Sequence, residues 1–165
     1  MNDHFLNTRV PPLALVIIAA LIMWLTKLAL PPLWFPQHFD AVANVNKFAA
    51  IALGLLTPLL GVIQFRRAQT TVDPRSPEKS ASLVTGGIYR FSRNPMYVGF
   101  VLWLLALSLQ LEQLWSMALI PIFVGYMNRF QIKPEEQMLA AHFGNDYLDY
   151  CERVPRWLGL SKGAA

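Results

Sequence analysis

Apolar positions along this chain come in long unbroken runs rather than in a period of two or of 3.6, and polar residues collect between the runs. A helix needs about 20 such residues to cross roughly 30 Å of hydrocarbon. The first run, Val10 to Leu30, carries one charge near its end, Lys27, whose stem can reach back to water. Pro31-Pro32 stops it, and Trp34, Phe35 and His38 suit an interfacial belt. The second run extends from about Val42 to Phe65 and is free of charge from Phe48 onward. Pro58 is expected to kink it, which obliges a neighbouring helix to cover the freed carbonyl. Residues 66–96 then form a polar, basic loop that has no place in lipid. Arg66, Arg67, Arg75, Lys79, Arg90 and Arg93 outweigh Asp73 and Glu78 there.

Two shorter runs follow, at about 95–109 and 114–128, separated by Gln110-Leu111-Glu112-Gln113. As one helix, residues 97–128 would measure about 48 Å, too long for one crossing, so a tight hairpin is expected. The tail from 129 to 165 is polar again. Pro134 suits a first helical position, and Glu135 and Glu136 suit a first turn. Gly144 is expected to end that helix, with Asn145 or Asp146 capping another. The pattern as a whole predicts an all-α polytopic membrane protein with four transmembrane helices and a cytosolic C-terminal helical tail, in a single domain. Basic residues concentrate in the 66–96 loop and around the tail, which places both termini in the cytoplasm.

Composition narrows the choices. Only 15% of the 165 residues are charged and 55% are hydrophobic, against about 25% charged in soluble domains. The net charge of +4 is carried by residues that flank the apolar runs, so it reads as topology rather than nucleic-acid binding. Cys151 is alone, and His4, His38 and His142 are far apart, so no metal is expected. No small-residue cleavage site clearly follows the first run, which reads as a retained anchor.

Chemistry is expected at two polar clusters. Arg93-Asn94-Pro95-Met96-Tyr97 leads into the third run, where a helix N-terminus offers unpaired amides to a ligand. Lys133-Pro134-Glu135-Glu136 leaves the fourth. A hairpin between them would bring both to one membrane face. Each also has a plain structural reading: a cationic anchor with an interfacial tyrosine, and acids stabilising a helix start. Thr85-Gly86-Gly87-Ile88-Tyr89 is a turn by composition, open to close backbone approach or to no role beyond a loop. There is no GxGxxG motif, phosphate-cradling loop or nucleophile elbow.

The segment Leu83–Gly99, then Glu135-Glu136, Phe143-Gly144-Asn145-Asp146-Tyr147 and Val154-Pro155-Arg156, resembles the integral-membrane methyltransferases. These include the isoprenylcysteine carboxyl methyltransferases and the phospholipid N-methyltransferases. The resemblance covers roughly residues 65–158 and implies an S-adenosyl-L-methionine site. The matching cofactor positions are Leu83, Val84, Tyr89, the Arg93 loop with Asn94, Pro95, Met96 and Tyr97, then Glu135 and its neighbour Glu136. Asn94 stands where the family often has histidine. Gln131 stands where the carboxyl methyltransferases carry a substrate-facing arginine, and Arg129 is the nearby candidate to replace it. Arg129 or Tyr97 would orient a lipophilic or lipid acceptor entering from the bilayer, and a bacterial inner membrane is the expected location. Two other readings stay open: an NADPH-dependent reductase related to sterol reductases, and a non-catalytic tetraspan protein.

Overall fold

The computed structural model describes residues 10–31, 33, 40–68 and 82–159, with backbone alone for 40–43. Trp34, Phe35, His38, Asp73, Arg75, Glu78, Lys79 and His4 lie outside the described residues. Within them the protein is helical throughout: α1 (Pro12–Ala29), α2 (Asp40–Arg67), a single 3-10 turn (Gly87–Arg90), α3 (Pro95–Leu111), α4 (Leu114–Tyr126), a π-helical turn (Met127–Ile132), α5 (Lys133–Phe143) and α6 (Asn145–Arg153).

Two helices are long and apolar enough to cross a membrane, Pro12–Ala29 and Asn44–Arg67, with mean hydropathies of 2.2 and 2.0. Proline opens α1, where its missing N–H costs nothing, and the chain turns extended at Leu30 just before Pro31. Only Val16 and Met23 of α1 are buried. Leu13, Ile17, Ile18, Leu21 and Ile22 point outward, as lipid-facing side chains do.

The helix α2 runs through Pro58 without a break. Proline at 58 leaves the carbonyl four residues back, that of Gly54, without its helical partner. The third helix covers that carbonyl. A Cβ on Gly99 would lie 2.8 Å from the Gly54 oxygen and 2.6 Å from Pro58 Cγ. A Cβ on Gly54 would in turn collide with Trp103 Cδ1. Glycine at both positions lets the two backbones meet, and the proline ring fills the space beside them. Gly99→Val is therefore expected to force α2 and α3 apart and cost about 1–3 kcal/mol. A lowered thermal unfolding midpoint in detergent would show it.

The expected hairpin turns at Glu112, which is left-handed with φ 57°, and the extended Gln113. Tyr97, Phe100, Leu104, Met127 and Ile132 join Val16 and Met23 in one apolar core between α1, α3 and α4.

After α4 the structure departs from the sequence-based expectation of a break before the tail. One helical run continues from Leu114 to Phe143, widened over Met127–Ile132 into a π turn. Pro134 supplies the reason. It has no N–H to give the carbonyl four residues earlier, and a locally widened register accommodates the missing bond. Gly144, at φ 56°, then reverses the chain into α6. Gly144 itself holds the N-cap position, with no side-chain cap from Asn145 or Asp146.

Past α6 the chain is extended at Val154 and returns to the loop ahead of α3. There Arg93 N donates to Pro155 O at 3.0 Å, and Gly159 N donates to Phe91 O at 3.2 Å. The C-terminal segment thus closes over the polar loop as a second strand of chain.

Candidate functional site

Two buried elements meet where the loop ahead of α3 faces the helix that continues from α4. Proline at 95 starts α3, so Tyr97 falls in its first turn with its ring in the apolar core. The π turn sets Gln131 and Glu135 on the facing side. The Tyr97 hydroxyl donates to Glu135 Oε1 at 2.6 Å, and Gln131 Nε2 donates to the same oxygen. Both bonds end on Oε1, which leaves Oε2 for another partner. Residues 38 positions apart in sequence are thereby joined.

Burial raises the Glu135 carboxyl from 4.5 to about 7; the bonds from Tyr97 and Gln131 oppose the rise, and Glu136 adds to it. A carboxyl so raised favours the folded state in its neutral form. Its contribution is complete below about 4.5 and is lost as pH climbs through about 7. The ligand-free protein is expected to melt at progressively lower temperature from about pH 5 to 8, and Glu135→Gln to flatten that slope.

Glu136 faces the other way and binds two guanidinium groups. Arg156 grips it with both Nε (2.9 Å) and Nη2 (2.6 Å), while Arg93 Nη1 lies 3.1 Å from Oε1. The Glu136 hydrogen bond, chiefly, raises the Arg156 pKa further. Arg93 also donates to Cys151 Sγ, and its Nε is buried with no partner among the described residues. Asn94 spends its side-chain nitrogen on Arg156 O at 2.9 Å, so it ties the loop to the tail.

An open pocket enclosing about 70 Å³ lies against this network. Its polar wall holds Arg93, Asn94, Glu135 and Glu136, and its loop wall holds Ser82, Leu83, Val84 and Tyr89. Phe65, Leu139, Phe143, Tyr147 and Tyr150 complete it with rings and apolar surface. Tyr150 donates its hydroxyl to Tyr89 O at 2.8 Å, which fixes the 3-10 turn against α6. Burial pushes the Tyr89, Tyr147 and Tyr150 phenols upward, so all three stay protonated.

Of the positions singled out in the sequence, Leu83, Val84, Tyr89, Arg93, Asn94, Glu135 and Glu136 line this pocket. Tyr97 touches it through Glu135, whereas Pro95 and Met96 sit behind it in the helix start. Arg129 is elsewhere: it is exposed, with its guanidinium 5.4 Å from the Phe130 ring centre. The buried group at this level of the helix is Gln131. The aromatic wall from α5 and α6 and the bidentate Arg156 were not singled out as site residues. Their signal was the resemblance over Phe143–Tyr147 and Val154-Pro155-Arg156, beside an aromatic spacing of Phe143, Tyr147 and Tyr150 that reads equally well as core.

The family model described as phospholipid methyltransferase matches residues 45–146, which takes in most of α2, the loop, the hairpin and the whole acidic cluster. The chain belongs to the phospholipid methyltransferase family. Among curated members, protein-S-isoprenylcysteine O-methyltransferase A of Arabidopsis thaliana is 30% identical over 86% of this chain and 70% of its own. The Schizosaccharomyces pombe protein-S-isoprenylcysteine O-methyltransferase is 28% identical over 78% of the chain and 55% of its own length. Its Mus musculus counterpart is 33% identical over 68% and 42%. The chain thus spans about half the length of several relatives it matches. No solved structure matches it. These methyltransferase relatives do not favour the reductase or the non-catalytic scaffold reading. Among the described residues no cluster of His, Cys, Asp and Glu could hold a metal.

Proposed function

We propose that this member of the phospholipid methyltransferase family transfers a methyl group from S-adenosylmethionine to a lipophilic, membrane-associated acceptor at the cytosolic face. The observation that carries the reading is the Tyr97–Glu135 hydrogen bond, which unites the polar loop and the acidic cluster around one pocket.

The residues present suit that cofactor. It carries a carboxylate, an ammonium group, a sulfonium, ribose hydroxyls and an adenine ring. Arg93 Nε is a buried donor without a partner among the described residues, and the carboxylate would supply an acceptor. Glu135 Oε2 suits the ribose hydroxyls or the cationic end. Tyr89, Phe65 and Tyr147 offer flat faces for adenine, and Leu83 and Val84 offer backbone groups beside it. The enclosed 70 Å³ takes only part of such a ligand, and the rest lies in the open mouth. When bound, the cofactor supplies an activated methyl. The protein's part is to hold two reactants in line and dry, which is worth about 7–11 kcal/mol of a barrier.

In this reading the membrane domain has four spans, with α3 and the α4 run as the shorter pair and both termini cytoplasmic. The loop 66–96 and the tail 129–165 close the cofactor site. The acceptor enters between helices beside Tyr97. The relatives named for isoprenylcysteine O-methylation support a greasy acceptor.

Purified protein incubated with membrane extract and methyl-labelled cofactor is expected to yield one labelled lipophilic product, identified by mass spectrometry. No transfer to any extracted component would count against the reading.

A further inference from the structure

The end of α2 and the loop ahead of α3 share one edge. The apolar span of α2 ends at Arg67, so Arg66 and Arg67 mark the level where the chain leaves its apolar layer. The 3-10 turn packs just inside that level. The Tyr89 ring lies edge-on to Phe65 at 5.4 Å, and a Cβ on Gly61 would lie 3.3 Å from the Tyr89 hydroxyl. Tyr89 points inward. The next two residues, Arg90 and Phe91, point outward, and Phe91 is 52% exposed.

The tail brings a second apolar group to this edge. Gly159 N donates to Phe91 O, which sets Leu158, 65% exposed, beside the Phe91 backbone. Trp157 keeps its ring against the apolar core and gives its N–H to Asn128 Oδ1 at 3.0 Å. An aromatic body in an apolar layer with its polar tip outside is the posture of an interfacial tryptophan.

Charge along the edge has one sign. Arg66, Arg67 and Arg90 are exposed, and none of them pairs with an acid among the described residues. The intervening stretch 69–81 carries two cations, Arg75 and Lys79, against two acids, Asp73 and Glu78, and so leaves the balance unchanged. The exposed acids of the tail, Asp146, Asp149 and Glu152, recur every third residue along α6 instead. Apolar side chains at membrane depth, flanked by cations, match acyl chains lying beneath phosphate. A soluble acidic partner would satisfy the arginines and leave Phe91 and Leu158 in water.

We propose that this edge is a seat for anionic phospholipid. Arg66, Arg67 and Arg90 bind the head-group phosphates, while Phe91 and Leu158 enter the acyl boundary. The seat also acts on the pocket. Loop and tail are joined by Arg93 N to Pro155 O, by Gly159 N to Phe91 O and by Asn94 Nδ2 to Arg156 O. A lipid surface that holds Phe91 and Leu158 together keeps this seam closed. The seat requires a membrane-embedded chain but not methyl transfer.

The test uses the full chain in detergent micelles. Dioleoylphosphatidylglycerol and dioleoylphosphatidylcholine are titrated in, and bound lipid is counted by native mass spectrometry. Phosphatidylglycerol is expected to bind about 10- to 100-fold tighter, the preference that three interfacial arginines give. Higher salt should shrink that preference. The triple variant Arg66→Gln, Arg67→Gln, Arg90→Gln is expected to cut it below about 3-fold, whereas Lys47→Gln, near the other end of α2, keeps it. In nanodiscs, hydrogen exchange over 91–94 and 154–159 should be slower with phosphatidylglycerol than with phosphatidylcholine. Phe91→Ser combined with Leu158→Ser should remove that difference.

Equal affinity for the two lipids, or a preference that survives in the folded triple variant, overturns the proposal. So does displacement of the lipid by soluble glycerol phosphate at equal concentration, which marks a free-phosphate site. Seam exchange that ignores lipid charge overturns it as well. Should the triple variant fail to fold, the wild-type salt series decides, and a preference that salt leaves intact counts against the seat.

Discussion

Glu135→Ala is expected to weaken S-adenosylmethionine binding about 10- to 100-fold, the loss of one charge-assisted hydrogen bond worth about 1.5–3 kcal/mol. The chain should stay folded, because the alanine removes a buried carboxyl whose ionised form opposes folding near neutral pH. Tyr97 and Gln131 lose a partner, which offsets part of that relief. Affinity in the wild type should rise with pH through about 7 as the carboxylate forms, opposite in sign to the melting trend of the ligand-free protein. Calorimetric titration at several pH values checks both. A Glu135→Ala protein that binds the cofactor as tightly as the wild type removes this residue from the site.

Glu136→Ala is expected to act on stability instead. Its carboxylate is the meeting point of Arg93 and Arg156, whose side chains are only 13% and 31% exposed. Removing it leaves two guanidinium groups crowded without an anion, at about 2–3 kcal/mol after allowance for the solvent that reaches Arg156. For a chain of this size that lowers the unfolding midpoint by about 5–10 °C. The tail should loosen first, since Arg156 links α5 to the strand that covers Phe91–Asn94. Faster hydrogen exchange over 154–159 and 91–94, with α1 and α2 unchanged, is the expected pattern. Arg156→Ala should cost less, because Glu136 keeps Arg93.

Much of this arrangement was legible in the sequence because membrane helices announce themselves by charge exclusion. The runs ending at Pro31 and Arg66 carry that signal, and Gln110–Gln113 cannot cross hydrocarbon comfortably, so a hairpin followed. The carbonyl freed by Pro58 called for a covering helix, and Gly99 provides it. The π turn was not legible. Pro134 reads as a helix start in any local window, and only the packing of Met127 and Ile132 into the core shows that the helix continues through it. Arg156 stood in the Val154-Pro155-Arg156 match but was given no role, for a related reason. A bidentate pair with Glu136 depends on how α6 folds back, and twenty residues of sequence separation carry no hint of that. Arg129 drew notice by its charge and by closeness in sequence to a position of interest. Residues two apart on a helix lie on opposite faces, so with Gln131 packed inward Arg129 points outward, and which of the two faces the core depends on packing that the local sequence does not carry.

The central claim, one cofactor pocket built jointly by the loop, the π-turned helix and the tail, is tested most directly by ultraviolet crosslinking of labelled S-adenosylmethionine followed by peptide mapping. Label is expected on peptides containing Leu83–Asn94, Glu135–Phe143 and Tyr147–Tyr150, and competition by S-adenosylhomocysteine should remove it. Label confined to α1 or to the Glu112 end of the hairpin, or label that the competitor does not displace, would contradict it.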